Sequence, residues 1–136
     1  MGQNKGILKN KSYSFAIRIV KLAQFLQQNK EFVMSKQILK SGTSIGALVR
    51  EAEFAQSKLD FINKLSIALK EANETTYWLS LLNDTNYIEE KLFDSLQKDC
   101  KELISILVSI VKTTKNNMLN EKMNTVDIFP LLIFHF

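Results

Sequence analysis

Hydrophobic residues recur at spacings of three and four along most of the chain, which is the period of an amphipathic helix. The clearest run follows Ser57 and forms one stripe of small and apolar residues: Phe61, Leu65, Ala68, Ala72, Thr75, Leu79 and Leu82. Ser57 and Asp60 have the spacing of a capping box at its start. This pattern predicts a helix of about 26 residues, about 39 Å long, at the centre of a helical bundle.

Three further amphipathic stretches flank this central helix. We predict helices over residues 12–29, 36–55 and 87–114. Ser12 or Ser14 should cap the first helix and Ser35 the second, because a hydroxyl accepts a hydrogen bond from an exposed backbone N–H. Asn86 and Glu89 have the capping-box spacing before the fourth helix, and the Asn116–Asn117 pair is expected to end it.

The predicted fold is all-α, an antiparallel up-and-down four-helix bundle, because the links are short and no strand period is present. Residues 12–118 should form the bundle and residues 1–11 a loose basic arm. Residues 119–136 form an apolar tail in which Pro130 argues against a simple helical continuation. This tail either packs on the bundle or on an oligomer surface, or it is an exposed end.

Small residues cluster in the second helix, in the segment SGTSIGA at residues 41–47. Two glycines inside a helix each cost about 1 kcal/mol relative to alanine. Gly42 and Gly46 share a face with Ile45 close by, so we expect a neighbouring helix to pack tightly there. The alternative is a backbone site that holds a ligand, although the segment lacks the Gly-Lys-Ser/Thr of a phosphate loop.

The formal charge of +4 is unevenly distributed. Residues 1–50 carry nine basic side chains and one acid, whereas residues 51–136 carry nine basic and thirteen acidic side chains. The basic half could contact nucleic-acid phosphates or the acidic half of another copy. The candidate nucleic-acid contacts on the first two helices are Lys11, Arg18, Lys21, Lys36 and Lys40, although a solvated face is the commoner meaning of such a pattern.

The sequence offers no constellation typical of catalysis. His135 is the single histidine, and no Glu-x-x-His of a di-iron bundle is present. We interpret Glu71 and Glu74 as carboxylates that neutralise basic side chains at a helix interface, and Trp78 as a packing anchor. Cys100 lies on the apolar stripe of the fourth predicted helix, and we interpret it as a small core residue. We therefore expect no enzyme, metal, cofactor or small-molecule substrate.

The single cysteine allows no intrachain disulfide, which favours a reducing compartment. The N-terminus has no pattern of a signal peptide, and no apolar run reaches about 18 residues. A cytoplasmic protein without a membrane span is the expectation.

Several segments resemble the four-helix-bundle proteins encoded by intervening sequences within 23S ribosomal RNA genes. The segments are SYSFAIRIVKLAQFL at residues 12–26, SGTSIGA at 41–47, REA at 50–52 and SKLDFINKLSIALKEANETTYWLSLL at 57–82. The most specific matches are TSIG at 43–46, KEA at 70–72, ET at 74–75 and YWL at 77–79. Leu48 stands where family members commonly carry asparagine, and the apolar tail is not part of the family pattern.

This resemblance implies an up-and-down bundle that assembles as a homopentamer. It also implies kinship to the accessory proteins of diversity-generating retroelements, which bind nucleic acid and a reverse transcriptase, and it brings no catalytic residues. We therefore expect a non-enzymatic homo-oligomer with weak, sequence-tolerant binding to RNA or DNA. Gly42, Ile45, Gly46, Glu71, Glu74 and Trp78 are expected at helix-packing or oligomer contacts. The alternative is a structural or adaptor protein without a nucleic-acid role.

Overall fold

Four α-helices make up the chain in this computed structural model, which describes the backbone of residues 2–134 and the side chains of residues 5–124. The helices are α1 (Gly2–Gln28), α2 (Val33–Glu53), α3 (Lys58–Asp84) and α4 (Glu90–Phe134). Each helix packs against its neighbours in the chain, and α1 also packs against α4. The described backbone contains no strand. The predicted all-α four-helix bundle is therefore confirmed.

Contacts across each interface run in opposite chain directions, so the helices alternate up and down. On the α1–α4 side, Lys11 pairs with Glu102 and Arg18 with Asp99. On the α3–α4 side, the Cys100 thiol donates to the carbonyl oxygen of Ala72 at 3.3 Å. Between α2 and α3, the Thr75 hydroxyl lies 2.9 Å from Ser41 Oγ.

The core contains the residues that the helical period selects. All the predicted stripe residues of α3 are buried except Phe61, which is half-buried, while Ile62 is buried beside it. Each of the other three helices contributes a similar buried stripe, including Phe15, Ile19, Leu22, Leu26, Ile38, Ile45, Val49, Leu96, Leu103 and Leu107. Burial of such a side chain stabilises the fold by about 1.5–3 kcal/mol.

The loose arm predicted over residues 1–11 is wrong for residues 2–11, which form the first turns of α1. The cause is Leu8, which is only 2% exposed and joins the core. Its burial continues the stripe of α1 by one heptad toward the N-terminus. Ser12 therefore lies inside the helix, where its hydroxyl donates to the carbonyl oxygen of Lys9 at 3.1 Å.

Two helices end in a residue with a left-handed backbone conformation. Lys30 after α1 and Asn86 after α3 have φ angles of 62° and 66°. At the first end, Glu31 N–H donates to the Leu26 carbonyl oxygen and Lys30 N–H to that of Gln27, which is the Schellman pattern. The same pattern follows α3, so Asn86 closes that helix. The predicted role of Asn86 as the cap of α4 is wrong.

The start of α2 is fixed by a carboxylate. Glu31 accepts hydrogen bonds from the N–H groups of Val33, Met34 and Ser35, at 3.2, 3.0 and 2.7 Å. The predicted Ser35 cap is therefore wrong, since Ser35 lies within the first turn and its buried Oγ has no hydrogen-bond partner in the described part of the chain. The predicted Ser57 cap of α3 is confirmed, because Ser57 Oγ accepts from Asp60 N–H at 3.0 Å. The return bond of the capping box is shifted by one residue, since Asp60 accepts from the N–H of Gln56, at 3.2 Å, and not from that of Ser57.

The fourth helix continues beyond its predicted end. Asn116 and Asn117 lie within α4, whose backbone is helical through Pro130 to Phe134. Two asparagines cost at most about 0.7 kcal/mol each in a helix interior, which packing of Ile110, Thr114 and Met118 can offset. The structure describes no side chains from residue 125 onward. The predicted packing of the apolar tail and the position of His135 therefore lie outside the described residues.

Candidate nucleic-acid interface

Two of the basic residues proposed as nucleic-acid contacts pair with acids of α4, although their side chains stay partly exposed. Lys11 Nζ lies 2.7 Å from Glu102 Oε1, and Arg18 Nη1 lies 2.6 Å from Asp99 Oδ2. Arg18 also donates to Ser95 Oγ at 3.0 Å. These side chains already have anionic partners, so a phosphate would have to compete with a carboxylate for each of them.

The other three proposed contacts, Lys21, Lys36 and Lys40, are exposed. No ion pair within the described side chains includes any of them. Lys40 on α2 is nevertheless close enough to Glu71 on α3 to oppose the rise of its pKa. The structure therefore divides the five proposed residues into an α1 pair held by α4 and three exposed lysines.

A basic surface that the charge count of the two halves obscures lies on α4. The acids Asp99 and Glu102 point toward α1, where they pair with Arg18 and Lys11. Three exposed lysines on the outer side of α4 define what we call the α4 basic stripe: Lys98, Lys101 and Lys112. None of the ion pairs between described side chains includes a member of this stripe.

Small hydroxyl side chains separate the two halves of the α4 basic stripe. Ser105 and Ser109 are exposed between Lys101 and Lys112. From Lys98 to Lys112 the helix rises by about 21 Å, which is the length of roughly six phosphate steps along one strand of a duplex. One acid, Asp94, lies a turn before Lys98 on the same side. The helical period of the lysines could have revealed this stripe, because 98, 101, 105, 109 and 112 share one face.

The predicted glycine face lies against α1. A Cβ built on Gly42 would lie 2.7 and 2.8 Å from the two γ-carbons of Ile19. A Cβ on Gly46 would lie 3.3 Å from the carbonyl oxygen of Ser12. Ile45, between them in sequence, is buried in the core. The backbones of α1 and α2 approach closely at this point, and the space for a ligand between them is absent at both glycines.

Glu71, Glu74 and Trp78 lie on α3 toward α2. Trp78 Nε1 donates to Glu74 Oε1 at 3.2 Å, and the indole packs partly against the core and edge-on to Tyr77, with ring centroids 5.0 Å apart. Burial and the neighbouring Glu74 raise the pKa of Glu71, and Lys40 lowers it. Ionised Glu71 is thus less favourable in the folded chain than in the unfolded chain, which differs from the expected neutralising role.

Cys100 is buried, and burial together with nearby Asp99 raises the pKa of its thiol to about 12. A thiol that stays protonated at neutral pH is a poor nucleophile and a poor metal ligand. Among the described residues, no three His, Cys, Asp or Glu side chains are grouped so that they could hold a metal ion. In the same part of the chain, no helix has the length and apolar character needed to cross a membrane.

These features define an all-α bundle in which several charged side chains form ion pairs between the helices. A family model described as "23S rRNA-intervening sequence protein" matches residues 5–109. The chain belongs to the 23S rRNA-intervening sequence protein family. The match begins within the first turns of α1 and ends within α4, so the last part of α4 lies beyond it.

A solved structure supports the same assignment. The chain is similar to a protein of unknown function from the S23 ribosomal protein family of Bacteroides thetaiotaomicron, with 59% sequence identity and a TM-score of 0.79. The alignment covers 80% of this chain and 98% of the other chain. A comparison with curated proteins gives no significant match.

Proposed function

We propose that the protein is a non-enzymatic homo-oligomer that binds RNA or DNA through phosphate contacts, with little preference for sequence. The observation that carries this proposal is the α4 basic stripe, whose three lysines project from one helix without anionic partners among the described residues. Lysine on a helix face neutralises phosphates but does not read base edges in the bidentate way of arginine.

Assembly into an oligomer is supported by an exposed apolar stripe on α1. Tyr13, Ile17 and Val20 follow the helical period and are 56%, 42% and 38% exposed. Arg50 from α2 stacks on the Tyr13 ring at 5.4 Å, which gives this stripe a polar border. A contiguous apolar strip with a polar border is typical of a protein–protein contact. The homopentamer implied by the family resemblance would repeat the α4 basic stripe around its axis.

Two triple variants with the same loss of charge test the nucleic-acid proposal. One replaces Lys98, Lys101 and Lys112 by glutamine, and the control replaces Lys21, Lys36 and Lys40 by glutamine. Binding to a fluorescent RNA is measured by anisotropy at about 50 and about 200 mM salt. We expect wild-type affinity to fall steeply with salt. The α4 variant should lose most binding at the lower salt, and its slope of log affinity against log salt should be smaller by about 2.

Each outcome has a clear meaning. Absence of wild-type binding at the lower salt contradicts the nucleic-acid role and leaves the adaptor alternative, in which the α1 stripe and the charged faces bind protein. An equal loss of RNA binding in both variants would show that binding depends on total charge and not on one face of the bundle. A greater loss in the control would move the contact to Lys21, Lys36 and Lys40. Native mass spectrometry of the same samples reports the oligomer, which both variants should retain.

A further inference from the structure

A cleft of about 560 Å³ opens at the end of the bundle where α1 begins and α2 ends. The first turns of α1, the last turn of α2, the start of α3 and the middle of α4 all contribute to it. Its floor consists of core side chains: Leu8, Val49, Ala52, Leu65 and Ile110. A volume of this size falls within the range of small-ligand sites.

Three lysines line the rim of this bundle-end cleft, and two of them already pair with carboxylates. Lys5, Lys9 and Lys58 line it against a single carboxylate, that of Glu53. Glu53 lies 3.3 Å from Lys9 Nζ, and Lys58 pairs with Glu121 just outside the lining. Lys5 forms no ion pair with a carboxylate among the described side chains. Its ammonium lies over the Phe61 ring, 4.8 Å from the centroid.

The start of α3 adds backbone donors at the same mouth. Ser57 and Lys58 both line the cleft. The Ser57 hydroxyl accepts a hydrogen bond from the Asp60 N–H, and the Ser57 carbonyl oxygen accepts one from the Phe61 N–H. The preceding N–H groups, on Lys58 and Leu59, are the unpaired donors that every helix start presents. The carboxylate of Asp60 in the same turn accepts from the Gln56 N–H. The N–H groups of Lys58 and Leu59 are therefore the donors from which an anion at this position gains, together with the helix dipole.

We propose that the bundle-end cleft binds an amphipathic anion, with a hydrocarbon chain on the apolar floor and a carboxylate or similar group between Lys5 and the first turn of α3. Lys5, which forms no ion pair among the described side chains, favours an anionic over a cationic amphiphile, and the carbon-lined floor gives little to a fully polar anion. Gly6 lies at the mouth, and a Cβ there would meet no atom within 4 Å. A side chain at this position would therefore extend into open space beside the mouth.

The full-length protein is titrated with decanoate by isothermal calorimetry, with decyltrimethylammonium and acetate as controls for charge and for the hydrocarbon chain. We expect saturable binding of decanoate at one site per chain, and at least tenfold weaker binding of both controls. Gly6→Phe should weaken decanoate at least tenfold, because the ring fills the mouth without displacing a neighbour. Lys5→Gln should weaken decanoate at least threefold, whereas Lys21→Gln, with the same loss of charge, should not.

The proposal is overturned if decanoate does not saturate, if both amphiphiles bind equally, or if Gly6→Phe and Lys5→Gln leave the affinity unchanged. Native mass measurements on the Gly6→Phe variant test whether a second copy of the chain, and not a small molecule, occupies the cleft. A change in its oligomeric state would show that a second copy fills the cleft, and that result also overturns the proposal.

Discussion

At the scale of single residues, the contact between Gly42 and Ile19 sets how closely α1 and α2 approach. Ile19 is fully buried in the core, so any shift of its side chain disturbs the residues packed around it. Glycine is the poorest helix former after proline, and its cost of about 1 kcal/mol relative to alanine is offset here by close helix packing. Gly46 lies one turn further along the same face, against the backbone of Ser12.

Gly42→Ala should destabilise the protein by about 1–3 kcal/mol, because a Cβ at 2.7 Å from Ile19 Cγ1 forces the helices apart. Gly46→Ala is the matched control. Its Cβ meets Ser12 at 3.3 Å, and the gain in helix propensity should cancel most of the strain. Urea unfolding followed by circular dichroism gives both values. Equal stability of the two variants would contradict the assignment of the tight contact to Gly42.

Lys30 shows the limit of what a residue pattern can reveal. A left-handed conformation is expected at glycine or asparagine, and Asn86 follows that rule. Lys30 adopts it with a full side chain because the Schellman bonds after α1 require a residue with positive φ at this position. The sequence predicts a break near Asn29 and Lys30, but nothing in it indicates that lysine occupies the strained position.

At the scale of helices, two polar residues near the start of α2, Glu31 and Ser35, have side chains able to cap it. Glu31 is only 7% exposed, and its carboxylate accepts from three N–H groups of the first turn of α2. Charge-assisted bonds to a helix start are stronger than those to a hydroxyl, and the helix dipole favours the negative charge. This arrangement begins α2 three residues earlier than the Ser35 cap predicts.

Glu31→Ala should cost about 1–2 kcal/mol, since three N–H groups lose their acceptor. Ser35→Ala is the control and should be neutral or slightly stabilising, because the Ser35 hydroxyl is buried without a partner among the described residues. Thermal unfolding of both variants compares them directly. A larger loss in Ser35→Ala would show that the hydroxyl, not the carboxylate, caps α2.

The number, direction and buried faces of the helices could be predicted because the helical period repeats with few interruptions. Helix ends were less predictable, since a cap depends on which of several polar side chains reaches the free N–H groups. The partners of the charges were the least predictable. Whether Arg18 meets Asp99 or solvent depends on the register between α1 and α4, two helices that are far apart in sequence, and periodicity does not define that register.

At the scale of the whole molecule, part of the uneven charge of the two halves is balanced within the chain itself. Lys9, Lys11 and Arg18 from the basic half pair with Glu53, Glu102 and Asp99 of the acidic half of the same chain. The expected attraction between basic and acidic halves of different copies is thus partly satisfied within one copy. The outer side of α4, the α1 apolar stripe and the three exposed lysines of α1 and α2 take no part in these pairs.

Three of the four helix interfaces join consecutive helices, and the α1–α4 interface alone joins the ends of the bundle. Pairings between consecutive helices close short loops and form early in folding, whereas Arg18 and Asp99, 81 residues apart, close a long one. Ion pairs on that interface should therefore be absent from the transition state. Arg18→Gln is expected to speed unfolding and leave refolding unchanged in stopped-flow measurements, while Thr75→Val, between α2 and α3, slows refolding.

If Arg18→Gln slowed refolding as much as Thr75→Val, the α1–α4 interface would already be formed in the transition state, and the expected order would be wrong. With the expected order, the exposed salt bridges between α1 and α4 add little to the equilibrium stability of the bundle, since each is worth at most about 1 kcal/mol. They act instead on its lifetime. Added salt should shorten the time that the native bundle persists before it opens, and it should do so without changing how fast the bundle forms.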